Sequence, residues 1–336
     1  MGGPEAGGGG GEGPGRAEAP WTGPCVVMYG RYPQRGKVKT RLAQGLGADA
    51  AVRLYELSLA GVVRQVAPLA CRATLHCADP ADVKACQRWL RDQGLHDLPA
   101  ATPNTAGTAG AGGGLNGGLG GDPATTTGAV AVRAQRADVD DAQGLGARLA
   151  ASFEEEFGRG ADRVLVVGTD VPHLSTGVMI AALHLLRRHD MVVGPAVDGG
   201  YYLIGLARKA REQLGDLFYD IGWSTEHVLQ EQLENAALLG LAVAPLQSLP
   251  KLIDVDTAED LEQWVEEDRK SAVKVNERFS AAAEDLVAKP PGGGEAAQLD
   301  ERRGSSGSFL MGKMAELQEK LVETFSPPHK AKPEAP

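Results

Sequence analysis

The sequence predicts an α/β fold in which a mostly parallel sheet is covered by helices on both faces. Two observations carry this. Short apolar runs rich in β-branched residues alternate along the chain with longer stretches whose apolar residues recur at helical spacing. Glycines, aspartates and basic residues gather directly after the strand-like runs, where open α/β sheets keep their ligands.

The elements follow in order. "CVVMY" (25–29) is a short buried strand, and Val52, Tyr55, Leu59, Val62, Val63 and Val66 form the apolar stripe of a helix. "ATLHCA" (73–78) is a strand and 82–93 a helix. "AVAVRA" (129–134) is a strand, after which Leu145, Leu149, Phe153 and Phe157 recur every four residues on one helix face. "RVLVVG" (163–168), a helix near 175–188, "DMVVGPAV" (190–197) and "YYLIGLA" (201–207) continue the alternation. Ser224 is expected to cap a helix running to about Leu239, "LAVAPLQSL" (241–249) to form a further strand, and Thr257 with Asp260 to make a capping box.

Composition sets the limits of this region. Residues 1–22 are Gly-rich, carry little to bury and are expected to be disordered. The folded domain is expected over 23–270, interrupted at 99–128 by a Gly/Thr-rich surface insertion. Residues 271–336 are read as a largely flexible linker and C-terminal helix, the latter carried by Leu310, Met314, Leu317 and Leu321. With a net charge of −10 and no dense basic block, the 336-residue chain is not expected to bind nucleic acid. No run is long and apolar enough to predict a membrane span, and the N-terminus lacks the apolar core of a secretory signal. Cys25, Cys71, Cys77 and Cys86 show no metal-like spacing and read as buried thiols of a reducing compartment. The expected location is cytoplasmic, with an organellar address left open, and a homo-oligomer is compatible with the sequence.

Three polar clusters interrupt the apolar pattern. "GRYPQRGKVKTRL" places Arg31, Arg35, Lys37, Lys39 and Arg41 with Gly30 and Gly36 after the first strand. In an acidic chain, such a loop is either a solvated basic loop or a phosphate site, and phosphate suits it because glycines admit the backbone and arginines offer planar two-point contact. It is not a Walker A loop, because the GxxxxGK[ST] order is absent. "VVGTDVP" puts Asp170 at a strand tip, where Pro172 prevents simple continuation. A turn explains that alone, but a hard cation that takes one or two protein carboxylates plus phosphate oxygens would use it too. "VDGGYYLIG" puts Asp198 and two glycines between strands, either at a ligand or in a tight hairpin that Asp198 merely caps. "IDVDTAEDL" adds the acidic pair Asp254 and Asp256, which N-capping by Thr257 does not explain. Together these suggest a metal–diphosphate site.

"GRYPQRGKVKTRLA", "VLVVGTDVPHL", "GPAVDGGYYLIGL", "IGWST" and "DVDTAEDL", in this order, resemble the nucleotide-diphospho-sugar transferase-like proteins labelled radical-SAM/selenodomain-associated transferase 1 or arsenosugar-biosynthesis glycosyltransferase. The likeness spans about residues 25–265 and implies a GT-A type, Rossmann-like three-layer α/β/α fold. The basic loop also resembles that of 2-phospholactate guanylyltransferases and, more distantly, of molybdenum-cofactor nucleotidyltransferases. The resemblance implies that Arg31, Gly36, Lys37, Lys39 and Arg41 hold nucleotide phosphates, with Thr169, Gln143 and Arg148 also on the nucleotide side. It implies Asp170 and Asp256 as ligands of Mg²⁺ or Mn²⁺, and Asp198, Gly199, Gly200, Tyr201 and Trp223 on the acceptor side. Asp170, Asp198, Lys39 and Arg41 are the catalytic candidates, Asp198 as general base.

Three functions are compatible with these parts. A glycosyltransferase would take a nucleotide-diphospho-sugar and a small-molecule acceptor. A nucleotidyltransferase would take a nucleoside triphosphate and release pyrophosphate. A non-catalytic nucleotide-binding scaffold would keep the basic loop without needing metal carboxylates.

Overall fold

The computed structural model describes residues 22–96, 130–135 and 144–288. The leader, the whole of the Gly/Thr-rich insertion, Gln143 and the predicted C-terminal helix lie outside them. In chain order the strands are β1 (Pro24–Gly30), β2 (Arg72–Cys77), β3 (Ala131–Ala134), β4 (Arg163–Gly168), β5 (Met191–Pro195) and β6 (Tyr201–Ala207). The helices are α1 (Thr40–Leu46), α2 (Ala48–Val66), α3 (Val83–Asp92), α4 (Gly144–Gly158), α5 (Thr176–Leu185), α6 (Leu214–Leu217), α7 (Val228–Leu238), α8 (Ala258–Lys270) and α9 (Glu277–Ala288).

The six strands form one sheet in the order β3-β2-β1-β4-β6-β5. β3, β2, β1 and β4 pair in parallel, while β6 runs antiparallel between β4 and β5. The period-two alternation of strand side chains separates two cores. Val26 and Met28 of β1 and Leu165 and Val167 of β4 face α2 and α5. Cys25, Val27, Val164 and Val166 face Leu149, Phe153 and Phe157 of α4. The expected three-layer arrangement with a mostly parallel sheet is therefore present.

A third core lies beside the sheet, where α1, α2, α8 and α9 meet around the fully buried Trp264. Its outer wall lies beyond residue 270. Phe279 and Ala283 of α9 are buried against Trp264 and its neighbours, so the packed domain continues to the last described residues. Asn276 anchors this turn by donating to the Leu57 carbonyl at 3.0 Å, inside the space left by Gly61, whose missing Cβ would otherwise meet it. The apolar spacing of α9 is short and Ala-rich, which hid it in the sequence.

Two expectations are corrected. Residues 241–249 form no strand: only Val243 makes a bridge, and 246–248 close into a 3₁₀ turn. Pro245 and Pro250 have no N–H to give a ladder. Ser224 does not cap α7, which starts at Val228 behind His227. Ser224 instead sits in the left-handed region, and Thr225 organises the turn, donating to the Gly222 carbonyl and accepting from His227 N–H. The capping box at α8 is formed as expected, Thr257 accepting from Asp260 N–H and Asp260 from Thr257 N–H. Among the described residues no helix is long and apolar enough to cross a membrane.

Candidate functional site

The carboxyl ends of β1 and β4 deliver two loops to the same edge of the sheet. β4 and β1 are in parallel register, Tyr29 beside Gly168, so the basic loop after β1 and Asp170 after β4 start as neighbours. A buried strut joins them. Thr169 donates to the Tyr29 carbonyl at 2.9 Å, Ser58 donates to the Thr169 carbonyl at 2.8 Å, and Arg31 N–H donates to the Tyr55 hydroxyl at 2.7 Å. Burial pushes the Tyr55 phenol up to about 12, which keeps it a neutral partner in this strut. Gly30 fits here because a Cβ would stand 3.1–3.4 Å from Leu75, Thr169 and Tyr55.

The third segment of the site, before α8, belongs to no strand. Val255 N–H donates to the Asp170 carbonyl at 3.2 Å, which lays the segment 254–256 alongside the end of β4. Val255 turns into the core, so in extended chain its neighbours Asp254 and Asp256 both project the other way. Asp260, at the start of α8, accepts from the N–H of Asp256 at 3.1 Å and fixes that backbone.

The result is an acidic triad. One oxygen from each of Asp170, Asp254 and Asp256 lies within 4.8 Å of the others. Lys39 reaches into it: its Nζ is 2.9 Å from Asp170, 3.2 Å from Asp254 and 2.5 Å from Asp256. Arg41 pairs with the outer oxygen of Asp256. Lys39 lies at the N-cap of α1 with φ 46°, an unusual backbone conformation for a residue with a side chain. Burial works against the lysine charge, but Asp170, Asp254 and Asp256 outweigh it and hold its pKa above the ordinary lysine value. Asp254 is pushed up by burial and by the charge of Asp170. Burial acts in the same direction on Asp256, yet Lys39 and Arg41 overcome it and hold that carboxyl below its ordinary value.

A cavity of about 460 Å³ opens from the triad along the edge of β1 and β2. Arg31, Lys37, Lys39, Arg41 and Arg148 contribute five cationic side chains to its lining, against Asp170 and Asp256 on the acidic side. Its far wall is made by Tyr29, Ala78 and Gln135. Behind Tyr29 runs a buried polar chain: the Tyr29 hydroxyl is 2.7 Å from Ser152 Oγ, which is 2.9 Å from His76 Nδ1, and Tyr29 also donates to the Arg148 carbonyl. Burial, with Arg133 and Arg159 nearby, pushes His76 down to about 4.

The structure thus gathers Lys39, Arg41, Asp170 and Asp256, the core of the predicted site, and places Arg31, Lys37, Arg148 and Thr169 around the same cavity. Thr169 is buried, with its hydroxyl already bonded to Tyr29. Gly36 stays outside, supplying a φ of 76° in the exposed turn closed by Lys37 N–H on the Gln34 carbonyl. Arg35 is also turned away, in an exposed pair with Asp49 at 2.5 Å.

The residues expected on the acceptor side are not part of this lining. Asp198 is exposed in the β5–β6 hairpin and accepts from Gly200 N–H at 3.0 Å, the turn-capping alternative. Gly199 does serve a close backbone approach, but to this chain itself: a Cβ there would come 2.3 Å from the Glu226 carbonyl. Tyr201 donates to the buried Gln232 at 3.2 Å. Trp223 lines a separate cleft of about 480 Å³ between the first turns of α4 and the loop before α7. α4 divides the two spaces, Leu145 and Arg148 facing the cavity and Gly144, Gly146 and Ala150 facing the cleft.

Asp254 is the ligand candidate that the sequence reading named only as half of an acidic pair. Its spacing of two residues from Asp256 was the available signal, since extended chain puts such a pair on one side. Gln135 and Tyr29 carried no signal, because nothing in a strand's sequence tells which of its last residues will face a cavity.

A family profile described as "uncharacterized protein conserved in bacteria (DUF2064)" matches residues 119–225. No curated protein matches the sequence. Among solved structures, the chain is similar to a candidate nucleotide-diphospho-sugar transferase from Desulfovibrio desulfuricans G20, at 26% identity and a TM-score of 0.61, covering 80% of this chain and 96% of that one. Two more distant matches are Rv0371c in complex with manganese from Mycobacterium tuberculosis H37Rv and a cytidylyltransferase from Leptospira borgpetersenii serovar Hardjo-bovis. The first is 14% identical with a TM-score of 0.37, covering 73% of this chain and 98% of that one. The second is 11% identical with a TM-score of 0.43, covering 80% and 96%. Neither is close enough to speak for the residues of this site.

Proposed function

We propose that the chain is a transferase acting on a nucleotide-activated substrate, and that it moves a sugar from a nucleotide-diphospho-sugar to a small-molecule acceptor. The observation that supports this is the juxtaposition of one acidic triad with a cavity lined by five cationic side chains at the carboxyl edge of the sheet. The similarity to the Desulfovibrio protein supports the sugar nucleotide as the donor class.

Asp170, Asp254 and Asp256 fit a hard divalent ion, because they offer three carboxylate oxygens from rigidly held backbone and leave room for phosphate oxygens. When bound, Mg²⁺ or Mn²⁺ supplies charge neutralisation at the donor phosphates. Arg31, Lys37 and Arg148 hold the diphosphate by paired charge and N–H donation, with Lys39 and Arg41 on the side nearest the triad. The acceptor oxygen bonds to the anomeric carbon as the bond from that carbon to the β-phosphate oxygen breaks. The nucleoside diphosphate leaves with the electron pair, and the acceptor proton passes to solvent. Lys39 and Arg41 stabilise the charge that grows on the leaving phosphate.

One observation favours a second reading, transfer of a nucleoside monophosphate from a triphosphate with release of pyrophosphate. Five cations exceed what a diphosphate requires and suit a triphosphate tail. Incubation with each nucleoside triphosphate and each diphosphate sugar, with Mg²⁺, distinguishes the two by the product released. Nucleoside diphosphate from a sugar nucleotide supports the first reading; pyrophosphate from a plain triphosphate replaces it with the second. If Asp170→Asn leaves nucleotide affinity and its Mg²⁺ dependence unchanged, both fail and a non-catalytic nucleotide-binding scaffold is the better account.

A further inference from the structure

The position a divalent ion would take among the three carboxylates is already filled by part of the chain. Lys39 Nζ lies 2.5–3.2 Å from one oxygen of each aspartate, in the basket whose oxygens are all within 4.8 Å of one another. A divalent ion binds carboxylate oxygens at about 2.0–2.6 Å and would have to occupy the same small volume. Two cations cannot share it. The lysine is held there by construction: its side chain is 7% exposed, and its backbone adopts the left-handed conformation at the head of α1. Arg41, by contrast, reaches only the outer oxygen of Asp256 and is largely exposed.

Lys39 also lines the cavity that carries Arg31, Lys37, Arg41 and Arg148. Once withdrawn from the triad, its ammonium would need a new anion, and phosphate oxygens in that cavity are the acceptors within the same lining. We infer that Lys39 is the built-in counter-cation of the acidic triad, so that a divalent ion and phosphate enter together, the ion displacing the ammonium and the phosphate receiving it. This rests on the reading of the triad as a metal site. Its consequence is that the metal binds weakly by itself, and that metal and phosphate affinities are coupled reciprocally through one side chain.

Two measurements on the full chain test this, with Mn²⁺ and inorganic pyrophosphate as probes. Free Mn²⁺ is followed by electron paramagnetic resonance without pyrophosphate, for the wild type, Lys39→Met and Arg41→Met. Lys39→Met is expected to bind Mn²⁺ at least about tenfold more tightly than the wild type, while Arg41→Met, with the same charge change, gains less than about threefold. Equal gains in the two variants would reduce the effect to bulk charge and overturn the inference, as would no gain in Lys39→Met. The second measurement needs no variant. Acetylation of Lys39, read by mass spectrometry, is expected to accelerate at least about fivefold when Mn²⁺ saturates the wild type and to slow again on adding pyrophosphate. Mn²⁺ binding that leaves Lys39 labelling unchanged overturns the inference while leaving the metal site in place. Failure of all three proteins to bind Mn²⁺, with or without pyrophosphate, instead removes the metal site and the functional reading with it.

Discussion

Acidification should loosen this protein through His76. His76 is 1% exposed on β2, with Nδ1 bonded to Ser152 and no hydrogen-bond partner at Nε2 among the described residues. Burial favours the neutral ring, and Arg133 and Arg159 add to that, which lowers the folded-state pKa from 6.5 to about 4. Between those values the unfolded chain binds a proton that the folded chain refuses. Stability therefore rises with pH across this window; the contribution is complete above about pH 6.5 and is lost as pH falls toward 4. At about 1.4 kcal/mol per pKa unit, the loss reaches about 3 kcal/mol by pH 4. For a domain of this size that is a fall in Tm of about 6–12 °C. Thermal melts of the wild type and His76→Asn from pH 7 to pH 4 measure it. The asparagine side chain keeps a hydrogen-bonding group for Ser152 and does not titrate, so the variant curve should be flatter by about that amount. Parallel curves would refute the reasoning, and a His76 ring resonance titrating near 6.5 would refute it directly.

Three substitutions probe the positioning of the site. Gly168→Ala places a methyl 3.0 Å from Asp170 Oδ1, so Mn²⁺ affinity measured with pyrophosphate should fall about three- to tenfold while the melting temperature changes little. Asp260→Ala removes both the capping box and the anchor of Asp256 N–H; urea unfolding should show a loss of about 1–2 kcal/mol, accompanied by weaker Mn²⁺ binding. Gly199→Ala meets the Glu226 carbonyl at 2.3 Å from a φ of 92°, and should destabilise the fold by at least about 2 kcal/mol in the same assay. Because the hairpin does not line the cavity, its folded fraction should bind nucleotide as the wild type does.

Local sequence determined a large part of this protein. Helical and strand periodicity placed β1, α2, α4 and β4 because each element must bury one recurring face, a constraint written into consecutive residues. It also picked out the cationic loop and Asp170, since charge and glycine after a strand have few structural uses. Tertiary structure decided what lies beyond neighbouring residues. The turn at Asp198 and Gly199 reads equally as a ligand loop or a hairpin, and only the antiparallel pairing of β6 and the contact with Glu226 choose between them. α9 is defined by Trp264, to which its short apolar face bears no sequence relation. Above all, Asp170 meets Asp254 and Asp256 because Val255 N–H finds the Asp170 carbonyl across more than eighty residues of chain. Side-chain chemistry is a property of residues, but the distance between two carboxylates belongs to the packing of the elements that carry them.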